Sequence, residues 1–188
     1  MPDARAGAAH RAVFLDRDGT IVEDPGFLHE SGKVRLLSGA GEAIHRLNQA
    51  GWLVITVSNQ SGIARGLYDA TAYSAVQRRL VELLAAHGAR LDGAYFCPHH
   101  PEFTGPCECR KPGVLLFREA AVALGLELAR SVWVGDRMSD VEPARKLGGR
   151  ALLVETGRGA AHVGKARALG VPVVADLAAA AAEIVRGG

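Results

Sequence analysis

The stretch AVFLDRDGT, residues 12–20, decides how the rest of the chain reads. Its first part, Ala12 to Asp16, has no polar alternation and reads as a strand buried on both faces, the kind found in parallel sheets covered by helices. Its second part is a charged turn. Outward from it the same switch recurs, because WLVITVS (52–58), GAYFC (93–97), SVWVGD (131–136), RALLVE (150–155) and VPVVAD (171–176) read as further strands. Helix-length segments separate them. Ser38 is placed to cap a helix through GAGEAIHRLNQA that Gly51 stops, and TAYSAVQRRLVELLAAHG repeats its apolar residues with period 3.6 up to Gly88. PGVLLFREAAVALG sets Pro112 near a first turn and Gly125 at the end, SDVEPARKLG is a further helix, and LAAAAAEIV closes the chain behind a capping Asp176. Strands alternating with helices predict an α/β fold with a doubly wound parallel sheet. It fills a single domain, 11–188, behind a flexible N-terminal tail, 1–10, of low complexity.

Composition narrows the class of function. A chain of 188 residues with 48% hydrophobic residues is large enough for one packed core. A formal charge of +2 and 5% aromatic residues offer neither a basic footprint nor a stacking surface, so nucleic acid is not expected as a partner. No run of about 18 apolar residues occurs, and MPDARAGAAHR lacks the apolar centre of a signal peptide, which predicts a soluble cytoplasmic protein without membrane contact, read as a monomer. Three cysteines, an odd number in a reducing compartment, argue against a disulfide framework and for metal or catalysis.

In open α/β sheets, ligands bind beyond the carboxyl ends of the strands. Four strand ends carry polar signals here: DRDGT (16–20), SNQSG (58–62), the cysteine loop with RKP (110–112), and GDRMSD (135–140). The predicted winding brings Asp16, Asp18, Ser58, Lys111 and Asp136 to one crevice. Several carboxylates in one place repel unless a hard cation sits among them, and Asp oxygens completed by water and substrate are how Mg²⁺ is held. Such a cation draws in phosphate. One carboxylate can then attack phosphorus to give an aspartyl phosphate while a second acid protonates the leaving oxygen, with Ser58 and Lys111 steadying the phosphoryl oxygens. Taken alone, D-x-D-G-T is also the sequence of a solvated turn, and GDRMSD that of an acidic helix start. Thr20 and Ile21 stand where an EF-hand needs an oxygen ligand and glycine, so that calcium motif is excluded.

In order and spacing, FLDRDGTI (14–21), TVSNQSGIARG (56–66), CRKPG (109–113) and VGDRMSD (134–140) resemble the four motifs of the haloacid dehalogenase superfamily of phosphohydrolases. More narrowly, the chain resembles the branch shared by heptose-1,7-bisphosphate 7-phosphatases and histidinol-phosphatases, from about Arg11 to about Gly157. The resemblance implies Asp16 as nucleophile and Asp18 as general acid and then base. It implies Mg²⁺ on Asp16, Asp136 and the backbone carbonyl of Asp18, with Ser58 and Lys111 on the transferred phosphoryl group. Substrate contacts fall on Asp24, Pro25, Gly26, Phe27, Ser58, Asn59, Gln60, Ser61, Arg110, Lys111 and Arg137. Arg110, whose planar fork suits a phosphate, is matched to a second, non-reacting phosphate. Asp140 is read as orienting its neighbours.

Cys97-x-His99 and Cys107-x-Cys109 supply three thiolates and an imidazole, the donor set of a closed structural zinc site. The one-residue spacers are tighter than those of common zinc fingers, and in the resembled family the same pairs bind zinc. The implied role is mechanical: zinc pins the loop 97–109 and so places Arg110 and Lys111. His100 is the rival ligand, and His45, His87 and His162 are read as surface or packing residues.

The resembled fold often carries a cap domain, but the connections after DRDGT and SNQSG are too short for one. GFLHE (26–30) and GIARG (62–66) resemble the heptose enzymes, whereas the seven residues between His99 and Cys107 are nearer the compact loops of the histidinol side. The expected substrate is the C7 phosphate of D-glycero-D-manno-heptose 1,7-bisphosphate, in heptose activation for lipopolysaccharide or another surface glycan; histidinol phosphate is the alternative. A non-catalytic zinc-containing binding protein is the alternative of another class. A zinc-knuckle nucleic-acid module is disfavoured by Glu102 and Glu108 in the loop, and a dinucleotide site in GRGAAHVG (157–164) by His162 at the third glycine position.

Overall fold

A computed structural model describes residues 10–187. Apart from His10, the expected flexible tail lies outside them. His10 itself is tied down, its N–H donating to the Gly125 carbonyl and its own carbonyl accepting from Glu127 N–H.

Six parallel strands, in the order β3-β2-β1-β4-β5-β6, make one sheet: β1 Ala12–Leu15, β2 Leu53–Asn59, β3 Gly93–Cys97, β4 Val132–Gly135, β5 Arg150–Val154 and β6 Val173–Val174. The apolar runs are continuous because both faces are covered. On one face Val13 and Leu15 of β1 join Val54, Val132 and Val134 in packing against α1 (Ala40–Gln49), α3 (Ala70–Ala85) and α8 (Leu177–Arg186). On the other, Ala12 and Phe14 join Ile55, Val57 and Trp133 against α5 (Leu115–Leu124) and Ala144 of α6 (Met138–Leu147). Phe14 anchors that face, edge-on to Phe117 at 5.1 Å and stacked on Trp133 at 4.9 Å. Burying each such large side chain contributes roughly 1.5–3 kcal/mol relative to leaving it in water.

The helix ends show where local chemistry decides. Asp69 caps α3 by accepting from Ala72 N–H, and Asp176 caps α8 from Ala179 N–H. Ser38 does not cap α1: that helix starts one residue later behind Gly39, at φ 73° and without a side-chain cap, because the chain enters through a left-handed turn. Pro112 lies outside α5, which begins at Leu115, since Lys111 and its neighbours are held in the crevice described below. Three short helices, α2 (Ser61–Ala64), α4 (Pro101–Thr104) and α7 (Val163–Ala168), lie in the connections between the strands and helices that the sequence predicts. His45 donates from Nδ1 to the Gly88 carbonyl and His87 meets Glu42 at 3.1 Å, so these two histidines join α1 to the end of α3.

The strand order reverses between β1 and β4, and there the connections depart to opposite faces and open a crevice. Among the described residues no helix is long and apolar enough to cross a membrane.

Candidate active site and thiol-imidazole loop

The crevice, about 340 Å³, lies at the carboxyl ends of β1, β2 and β4 and is lined by Asp16, Asp18, Asp24, Gly26, Phe27, Asn59, Gln60, Ser61, Arg110, Lys111 and Arg137, with Tyr68, Ser139, Asp140 and Arg158. The first eleven are residues the sequence singles out. Pro25, Ser58 and Asp136 are not part of the wall; Asp136 lies wholly buried behind it, and Ser58 is buried with its Oγ accepting from Gln60 Nε2 at 3.2 Å.

At the floor lies a buried knot of charge. Lys111 Nζ donates to Asp16 Oδ1 at 2.7 Å and to the Val57 carbonyl at 2.6 Å, and pairs with Asp140 Oδ1 at 2.8 Å. Its chain is threaded there by Asn59, which accepts from Lys111 N–H and donates to the Lys111 carbonyl. Burial opposes the ammonium charge, but Asp140 and Asp16 outweigh it and hold Lys111 protonated. Burial pushes the Asp16 carboxyl up to about 8 against the pull of Lys111, and raises Asp136 to about 6.

Asp16, Asp136 and Asp140 each bring a carboxylate oxygen within 4.8 Å of the others. They are not equivalent. Asp140 is committed, Oδ1 to Lys111 and Oδ2 to the Arg137 N–H at the start of α6. Asp136 accepts from Arg158 N–H through Oδ2, while its Oδ1 is buried without a hydrogen-bond partner. A buried carboxylate oxygen with no donor is costly unless a cation completes it. The donor set of Asp16 and Asp136 therefore fits a hard divalent ion, and Asp140 serves to orient Lys111. Gly19 and Gly157, both at positive φ (88° and 57°), close the far side, and a side chain at either would run into Asp136.

Asp18 is held apart from this knot. Arg17, wholly buried, forks onto it with Nε to Oδ1 at 3.0 Å and Nη2 to Oδ2 at 2.9 Å, and Gln60 Nε2 adds a third donor at 3.0 Å. Asp24 sits between two guanidinium groups, Arg137 at 3.4 Å and Arg158 at 3.7 Å. Arg17, Tyr68 and Arg158 escape the sequence reading. Arg17 sits inside the quoted motif, so its flanking aspartates were the available signal; for the other two, only the folded path brings them to the crevice.

The second cluster is local. Cys97, His99, Cys107 and Cys109 bring their ligating atoms within 4.8 Å of one another at the end of β3. Sulfur separations are 3.7 Å for Cys97 and Cys107, 3.6 Å for Cys107 and Cys109, and 2.9 Å for Cys97 and Cys109, with His99 Nδ1 at 3.2 Å from Cys109. A tetrahedral zinc with bonds of about 2.3 Å sets its ligand sulfurs ~3.7 Å apart, so the cluster is close to the size of that ion. His100 is occupied elsewhere, Nδ1 accepting from Glu102 N–H and Nε2 beside Arg65 at 3.1 Å. Arg110 links the two sites: it lines the crevice while donating to the His99 carbonyl at 3.2 Å.

A doubly wound sheet with acids after β1 and β4 and a buried lysine between them defines a haloacid dehalogenase-like hydrolase, and residues 108–180 match the HAD-hydrolase-like family model. The D-glycero-beta-D-manno-heptose-1,7-bisphosphate 7-phosphatase of Yersinia pestis is 39% identical over 84% of this chain and 87% of its own length. The D-glycero-D-manno-heptose-1,7-bisphosphate 7-phosphatase of Thermosynechococcus vestitus is 43% identical over 79% and 80%. Among solved structures, the D,D-heptose 1,7-bisphosphate phosphatase of B. bronchiseptica, complexed with magnesium and phosphate, superposes with a TM-score of 0.87 at 34% identity, covering 95% of this chain and 99% of that one. The chain belongs to the family of D-glycero-D-manno-heptose-1,7-bisphosphate 7-phosphatases.

Proposed function

We propose that this chain is a magnesium-dependent phosphatase that removes the C7 phosphate of D-glycero-D-manno-heptose 1,7-bisphosphate through an aspartyl phosphate on Asp16. One observation carries the mechanism: Asp16 lies at the switch point of the sheet, 2.7 Å from the buried Lys111 ammonium and grouped with Asp136, one of whose buried oxygens lacks a hydrogen-bond partner. Family membership supports the substrate.

Asp16, Asp136 and the backbone carbonyl of Asp18 would hold Mg²⁺, which when bound supplies positive charge to the phosphoryl oxygens. Lys111 keeps Asp16 oriented and its own charge ready for the same oxygens. An Asp16 oxygen forms the new bond to phosphorus as the bond from phosphorus to the sugar oxygen breaks, and Asp18 gives that oxygen its proton. Asp18 then takes a proton from the water that attacks the aspartyl phosphate, which releases inorganic phosphate and regenerates Asp16. Ser58, matched by the resemblance to the transferred phosphoryl group, lies buried behind the wall, where its Oγ accepts from Gln60 Nε2.

Arg110 is matched to the non-reacting phosphate, since it lines the crevice with one guanidinium nitrogen anchored on the His99 carbonyl. Zinc on Cys97, His99, Cys107 and Cys109 would fix that anchor and leave no open position for chemistry. Asp24, Gly26, Phe27, Asn59, Gln60, Ser61 and Arg137 complete the substrate wall.

The test is phosphate release from the heptose bisphosphate and from histidinol phosphate, side by side, with Mg²⁺ and with EDTA. We expect kcat/KM about 100-fold higher for the heptose compound, lost with EDTA. The reverse preference would transfer the assignment to the histidinol substrate.

A further inference from the structure

Tyr68 has no part in the mechanism above, yet it touches the residue that holds the acid. Gln60, almost wholly buried, spends its amide nitrogen on Asp18 and Ser58 and its amide oxygen on Arg17 Nη2 at 3.2 Å and the Tyr68 hydroxyl at 2.7 Å. Arg17 is fixed in turn: its guanidinium lies 5.3 Å from the Tyr73 ring centre, and its Nη1 is buried without a partner. The direction of the Asp18 carboxylate is therefore set by two side chains, and Gln60 is the one reached from the crevice mouth.

That reach continues. The Tyr68 ring stacks on His29, with centroids 5.4 Å apart and planes 6° from parallel. His29 Nδ1 is 2.7 Å from the Phe27 carbonyl, and Phe27 stands at φ 50°, a left-handed conformation that a bulky residue adopts only when its surroundings hold it there. Phe27, His29, Tyr68, Gln60 and Asp18 thus form one unbroken run of contacts from the loop over the crevice to the acid.

We propose that Tyr68 is a positioning residue for the proton donor: through Gln60 it aims the Asp18 carboxyl, and through His29 it ties that aim to the loop 24–29, so that seating a substrate and presenting the acid are coupled. The inference rests on Asp18 being the donor, and the test separates the two. An alkyl alcohol needs a proton to leave phosphorus, whereas p-nitrophenolate leaves without one. The readout is the kcat on the heptose bisphosphate divided by the first-turnover rate of p-nitrophenol release from p-nitrophenyl phosphate.

Asp18→Asn sets the scale; if it leaves this ratio unchanged, Asp18 is not the donor and the inference falls with that reading. If Asp18→Asn lowers the ratio, Tyr68→Phe should lower it about tenfold, with KM within about twofold and zinc content unchanged. His29→Ala, at a ring that is 42% exposed and so far from the core, should lower it less. The double variant should be no worse than Tyr68→Phe alone, because both changes cut one path. An unchanged ratio in Tyr68→Phe, or effects that simply add, would overturn the proposal.

Discussion

The acidic crevice and the thiol-imidazole loop both gather side chains able to hold a metal ion at strand ends, but they are held by opposite means. Asp16, Lys111, Asp136 and Asp140 come from distant parts of the chain and are buried between β1, β2 and β4, so the sheet positions them whether or not a cation is bound. Cys97 to Cys109 span one loop whose only regular element is the four-residue α4, and two of its cysteines are partly exposed. In the crevice the fold organises the ligands; in the loop the ligands must organise the fold. A change at the first should therefore cost catalysis and spare stability, and a change at the second should do the reverse.

The largest effect expected is on turnover. Asp16→Asn should lower kcat by more than about 10³-fold while the melting temperature holds or rises, because it removes a buried carboxylate along with the nucleophile. Steady-state assays with thermal melts check this, and retained turnover would break the contrast from the catalytic side. Next comes Cys107→Ser, expected to lose bound zinc and lower the melting temperature by roughly 5 °C, with a fall in kcat/KM of only about tenfold as Arg110 loosens. Metal analysis of the purified variant decides it: full zinc content would remove the loop from the list of sites.

A smaller effect is expected where the two regions meet. Arg110→Lys keeps the charge but loses the planar fork, and should raise KM for the bisphosphate about tenfold while leaving KM for a sugar monophosphate nearly unchanged. Equal changes for both substrates would detach Arg110 from the second phosphate. The smallest effect is on stability against pH without Mg²⁺. Burial raises Asp16 to about 8 and Asp136 to about 6, from 3.8, so between those limits the folded chain binds more protons than the unfolded one. Stability then falls as pH rises from about 4 to about 8. Melting at pH 5 and pH 8 should show a drop of a few degrees that Mg²⁺ reverses; a rise with pH would mean the carboxylates are already compensated.

Much of this was legible in the residues because its signals are either periodic or local. GAYFC is a strand over the full 93–97, and the four zinc-matched ligands are neighbours in the sequence as well as in space. The crevice was legible through the strand-end rule and the resemblance of four motifs, which place Asp16, Lys111 and Asp136 together without showing how they touch. What escaped has tertiary causes. Ser38 looks like a cap, but a left-handed Gly39 takes the turn; Pro112 looks like a helix start, but Lys111 is drawn to Asp16 first. Arg17 carries no signal of its own between two acids, and only the fold shows it buried against Gln60 as the clamp on Asp18.

The most direct test of the division between the two regions is to measure bound zinc and turnover together on one sample, before and after a brief EDTA treatment and again after adding Mg²⁺ alone. If the crevice does the chemistry and the loop only positions Arg110 and Lys111, turnover should vanish while about one zinc per chain stays bound, and Mg²⁺ alone should restore it. Turnover that follows zinc content, or that returns only with zinc, would contradict the assignment of the two sites.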